Sequence, residues 1–179
     1  MTNHFQNVLG AAIRSIDETI VPAIDPDHPL ALEQAKIISS ALGHIRESLD
    51  SAYQYDKVQL KLSLDLLTQV LEQGFPDGST IPSLEAVIDS GARVLADGPS
   101  SQEEFRTLAV AANRGVSAVI RAAGEVESEE ARRLEATVVR QAQDSVALSR
   151  SWFRVCGWEV DPSQVLPLSD ALNRLEHGS

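Results

Sequence analysis

The chain has 179 residues, 43% hydrophobic and 23% charged, with a formal net charge of −11. That length is about one domain, enough to bury roughly 70% of the unfolded surface without a disulfide or metal staple, and the negative charge argues against nucleic acid or an anionic membrane surface as a partner, since both require a basic footprint. Aromatics are only 4%, so Leu, Ala, Val and Ile must build the core, and such a core favours helices.

Cys156 is the single cysteine, which excludes an intrachain disulfide. Residues 1–10 lack the basic start and apolar run of a secretory signal, and no window reaches the 18 or so apolar residues of a membrane span, so the cytosol is the expected compartment. Charge is uneven: residues 1–97 carry 14 acidic against 6 basic side chains, and residues 98–179 carry 12 against 9, the basic ones all arginine.

A first helix is expected over Asn3 to Val21, with Phe5, Val8, Leu9, Ala12, Ile13, Ile16 and Ile20 recurring at helical steps and Pro22 ending it. Pro29 suits a first helical position, so a second helix starts there. Its Ala31, Ala35, Ile38, Leu42, Ile45, Leu49 and Ala52 step by four and three as an inward seam, widened by Leu30, Ile37 and Ala41. A break is expected near Tyr53 to Asp56, because one helix continuing to Gln73 would far exceed the usual length of ~11 to 12 residues.

From Val58 to Leu66 apolar and polar residues alternate, which by itself signals a strand. Leucine is a good helix former and no partner strand is visible, so a third helix is the reading, with Leu60, Leu64, Leu67 and Leu71 on one face and Leu62, Leu66 and Val70 beside it. Gly74 to Pro82 is the densest cluster of turn formers, and any subdomain break falls in that 74–82 linker. A fourth helix follows over Ser83 to Asp97, with Leu84, Val87, Ile88, Gly91 and Leu95 inward and Gly98–Pro99 as its stop.

Ser101 with Glu104 three residues on forms a capping box for a fifth helix, whose seam is Phe105, Ala109, Ala112, Val116, Val119 and Ala123 up to Gly124. Ser128 caps a sixth helix to about Val155, with Ala131, Leu134, Val138, Ala142, Val146, Ser149 and Phe153 inward. Asp161–Pro162 starts one turn, and Leu168, Leu172 and Leu175 mark a short last helix. The expectation is an all-α, up-and-down bundle of about six main helices plus a short C-terminal helix, as one domain.

The chemistry expected of such a bundle is limited. A di-iron site needs two Glu-x-x-His pairs on facing helices; the chain offers only the reverse order, His44 then Glu47. Its length and the histidine in the second helix are loosely similar to DinB-like metal bundles, but that pattern adds a His-x-x-x-His on a later helix, and no histidine lies between His44 and His177. Asp25, Asp27 and His28 share one short loop, a weak cation signal. There is no phosphate-binding glycine loop and no Gly-x-Ser-x-Gly elbow. Glu103–Glu104 and Glu129–Glu130 stand in first helical turns, where they complement the helix dipole. No catalytic role, metal or cofactor is expected.

Three features remain. Leu30, Ile37, Leu62 and Leu66 exceed the apolar surface that one bundle seam uses, which suits a homodimer interface. Arg132, Arg133, Arg140, Arg150 and Arg154 lie opposite the apolar stripe of the sixth helix, a solvated face or a docking strip for an acidic protein partner. Trp152, Phe153 and Trp158 gather at the end of that helix, as a core cap, an interface anchor or the wall of a pocket. The leading expectation is a non-catalytic interaction or regulatory bundle; the rival is a small-ligand or cofactor bundle, or an enzyme subunit of that kind, whose pocket would be lined by Leu and Ala and closed by Trp152 or Trp158. His44 and Glu47 are the polar candidates.

Overall fold

Helix propensity prevails throughout. The computed structural model describes residues 2–73, 82–96, 100–125 and 128–177, and no strand occurs among the described residues. With 87% of them helical, the alternation over Val58–Leu66 is resolved as helix. The main elements are α1 (Thr2–Ser15), α2 (Pro29–Ser48), α3 (Ala52–Glu72), α4 (Pro82–Ala96), α5 (Gln102–Gly124), α6 (Glu129–Phe153) and the short α7 (Leu168–His177). The expected all-α fold with six main helices and a short C-terminal one is what forms; no described helix is long and apolar enough to cross a membrane.

Two compact units divide the chain: Met1–Ala52 with Ser149–Ala171, and Tyr53–Leu148 with Leu172–Ser179. Gly74 to Ile81, most of the expected linker, and the Gly98–Pro99 stop lie outside the described residues.

In the larger unit, α3 turns Leu60, Leu64, Leu67 and Val70 into a core shared with Leu84 of α4, Phe105, Ala112, Val116, Val119 and Ala123 of α5, and Ala131 and Leu134 of α6. The α5 seam is as expected, with Ala109 partly buried against the core. Its start is fixed by a complete capping box: Ser101 Oγ accepts from the Glu104 N–H at 3.2 Å, and Glu104 Oε2 accepts from the Ser101 N–H at 2.8 Å. Polar pins hold the register. Buried Asp56 accepts from Gln102 Nε2 at 2.9 Å and pairs with Arg106 at 2.8 Å, Asn113 donates to Ser63 Oγ at 3.2 Å, and Gln73 donates to Thr137 Oγ1 at 2.7 Å.

In the smaller unit, α1 packs along α2, where Gln6 Nε2 donates to the Arg46 carbonyl at 2.8 Å. Pro22 does not end the first helix, contrary to expectation. A π-helical turn, Ile16–Ile20, precedes an α-helical end, Val21–Ala23, and the Val21 N–H reaches back to the Ile16 carbonyl. The wider turn lets the helix run through a residue that lacks an N–H and whose ring would crowd the carbonyl four residues earlier. The break after α2 falls at Leu49–Ser51, a few residues before the expected place. Ser48 Oγ donates to the His44 carbonyl at 2.7 Å, a back-bond that bends helices, and the Ser51 N–H turns to the Ser48 carbonyl.

The α6 stripe also differs. Val146 and Phe153, expected inward, are exposed, while Leu148 and Ser151 are buried. From Ala131 and Leu134 the covered side continues near Gln141, Ser145 and Leu148, a repeat closer to 3.5 residues, whereas apolar residue type favours a longer step.

Two glycines inside helices separate packing from propensity. A Cβ on Gly91 would run into the Leu64 side chain, meeting Cδ2 at 2.8 Å and Cγ at 3.1 Å, whereas one on Gly43 meets nothing within 4 Å. Gly91→Ala should therefore lower the urea midpoint through an overpacking cost of about 1–3 kcal/mol, less the propensity gain of alanine. Gly43→Ala should raise it, by about 0.4–1 kcal/mol.

Candidate functional site

The smaller unit carries the feature that stands furthest from the norm of a folded surface. Leu30, Ile37, Ile38 and Ile45 on α2, with Leu49 just past its end, are between 38% and 67% exposed. At about 100° per residue they fall, with Ala41, within an arc of about 120°. The four charged residues of α2, Glu33, Lys36, Arg46 and Glu47, all lie outside that arc. Ala35, about 40° past one edge of the arc, is buried and the Arg46 carbonyl is bonded to α1, while Lys36 and Glu47 on the opposite side are exposed.

This reverses the inward seam expected for α2: Ala31, Ile38 and Ile45 are exposed, and of that set only Ala35 is fully buried. The periodicity correctly reports an apolar face, but α1 and the 3₁₀ turn Arg154–Cys156 pack elsewhere on the helix. Leu30 and Ile37, expected to widen the inward seam, are thus on a surface.

An aromatic stack adjoins this face. Phe153 lies on the His44 ring with centroids 5.4 Å apart and planes at 30°, and Trp158 lies on Phe153 at 5.5 Å and 22°. Trp152 meets His44 edge-on at 5.6 Å. His44 lies about 20° beyond Ile37 around the helix, so the stack rises from the edge of the arc. Trp152 is half-buried and Trp158 is 75% exposed.

Beneath Trp152 is a cleft of about 270 Å³ lined by His44, Glu47, Ser48, Ser51, Ser151 and Arg154 among others. Its lining mixes these polar residues with Trp152, Val155, Pro167 and Leu168 in equal measure, rather than the Leu and Ala expected of a ligand pocket. His44 Nδ1 is the one buried side-chain polar atom without a hydrogen-bond partner among the described residues. Cys156 sits nearby in sequence with its thiol pushed up by burial, which disfavours the reactive thiolate.

Leu62 and Leu66 belong elsewhere. In the larger unit they are half-buried in a groove of about 460 Å³ together with Lys61, Asp65, Glu72 and Arg174. Burial pushes the Asp65 carboxyl up, partly offset by Lys61. The structure therefore separates the four apolar candidates into two sites, one per unit.

The arginine strip of α6 is partly engaged within the chain. Arg150 grips Glu159 with two hydrogen bonds of 2.9 and 2.8 Å, and Arg154 donates to the Pro162 carbonyl at 3.2 Å. Arg133 pairs with Glu129 at 3.6 Å, and Arg140 donates to Thr137 Oγ1 at 3.2 Å. No group of three or more metal-ligating side chains occurs among the described residues. Comparison with protein families, with curated proteins and with solved structures finds no match.

The hydrogen bonds and charge of Arg150 hold the Glu159 carboxyl below the usual glutamate value. A depressed carboxylate contributes order above its ordinary pKa and loses it as pH falls through the lowered value. Acidification through and below the glutamate range should therefore release the segment around Trp158, seen as a drop in tryptophan anisotropy. Arg150→Gln should show the same drop already at neutral pH.

Proposed function

We propose that this chain is a non-catalytic cytoplasmic interaction module that pairs with a second copy of itself through the charge-free arc of α2. The carrying observation is the arc itself: five large aliphatic side chains, well exposed, with no charge among them, in a chain of net charge −11. Like-charged copies repel, and the repulsion is least where both approaching faces lack charge. An arc of one kind along a helix is also self-complementary, as a two-fold interface requires. Taking roughly 200 Å² for a fully exposed large side chain, these five expose on the order of 500 Å², at the upper end of what a monomer usually leaves in one patch.

Light scattering on the eluting protein should give a two-chain mass, and Ile38→Glu with Ile45→Glu should give one chain with unchanged helical circular dichroism. A strict monomer at high concentration would sink the reading.

A second reading rests on the unpartnered His44 Nδ1: the cleft under Trp152 takes a small ligand. Trp152 forms its wall, so ligand binding should alter tryptophan emission. Emission unchanged across a panel of apolar and anionic small molecules would rule this out.

A further inference from the structure

We infer that Trp158 is the anchor of that pairing, seated on the α2 arc of the second copy. The inference rests on the self-association reading and adds the residue that carries most of its affinity.

Trp158 is exposed, with its indole stacked on one ring and its backbone fixed at both neighbouring residues. Phe153 stacks on one face of the indole. Gly157, at φ 72°, turns the chain out of the 3₁₀ turn in a left-handed conformation that other residues adopt only with strain. Arg150 clamps the next residue, Glu159, through both carboxylate oxygens. None of these buries the indole; the stack limits the ring and the other two limit the backbone that carries it. Ordering a side chain at an interface costs free energy, and here much of that ordering is complete in the single chain. Large, preorganised aromatics surrounded by apolar surface are the side chains that dominate interfaces.

Position links the indole to the arc. The stack runs from Trp158 through Phe153 to His44, and His44 stands one turn after Ala41 at the edge of the arc, so the surface continues from α2 onto the segment after α6. Val160, two residues on, is fully exposed and lengthens it. Phe153 and Trp158 expose on the order of 300 Å² more, and with the arc this reaches about the ~800 Å² per partner of a standard interface. A two-fold axis uses the contact twice, each Trp158 on the other copy's arc. An anionic membrane surface is a poor occupant, because the net charge of −11 repels it.

Three variants decide the point, with dimer dissociation measured by sedimentation. Trp158→Ala should weaken the dimer at least 30-fold and Trp158→Phe by less, while Ile38→Glu with Ile45→Glu abolishes it. In a Trp152→Phe chain, where Trp158 is the remaining tryptophan, emission should shift to the blue and iodide quenching should fall as concentration rises through the dissociation constant. Wild-type dimerisation by Trp158→Ala, with the double glutamate variant monomeric, overturns the anchor and leaves the α2 reading standing. A dimer that survives the double glutamate variant, or a wild-type chain that never dimerises, overturns both. If Trp152→Phe loses its helical signal, the Trp158→Ala dissociation constant decides alone.

Discussion

The larger unit depends on one close approach, between the leucine column of α3 and the small residues opposite it. Leu64 occupies the space a Cβ on Gly91 would need, and Leu67 with Leu84 does the same at Gly115, where a Cβ would meet them at 3.2 and 2.7 Å. Large side chains set into glycine gaps let the helices come near enough for Phe105, Val116 and Val119 to close the core. The buried polar pins at Asp56, Ser63 and Thr137 then select one register among those the leucines alone would accept, since a slipped helix would leave them unsatisfied.

The smaller unit is stabilised by much less. Its fully buried apolar side chains among the described residues are Ala35, Val165 and Ala171, while its large aliphatics and aromatics are half-buried or exposed. A small structure that buries little apolar area is marginal unless something else covers it. The same imbalance underlies the docking proposal: the residues that would make a core for this unit are on its outside.

How legible the sequence is depends on this division. Phe105, Ala112, Val116, Val119 and Ala123 are legible because the neighbours of α5 in the core are other apolar helices and period alone settles the inward side. For α2 the period is equally clear, but it cannot say which side a neighbour covers, and Ala31, Ile38 and Ile45 turn out exposed. On α6 the polar Gln141 and Ser145 lie on the covered side, so residue type misleads where spacing would not. At the candidate site, Leu30, Ile37 and Trp158 are legible as surplus apolar residues. The clamp beside Trp158 is not: Arg150 and Glu159 are nine residues apart, with the Gly157 turn between them. Local pattern carries no information about such a meeting.

The π turn at Ile16–Ile20 has a consequence for how this chain can vary. Such a turn is what a helix looks like after absorbing one extra residue without losing its axis. Removing any one of those five residues would restore ordinary α spacing and bring the Pro22 ring back against a carbonyl. It would also rotate α1 by about 100° relative to the helical end at Val21–Ala23, carrying Gln6 away from the Arg46 carbonyl it reaches on α2. This helical stretch cannot lose a residue without moving that contact, so its residue count is as much a part of the fold as its apolar pattern.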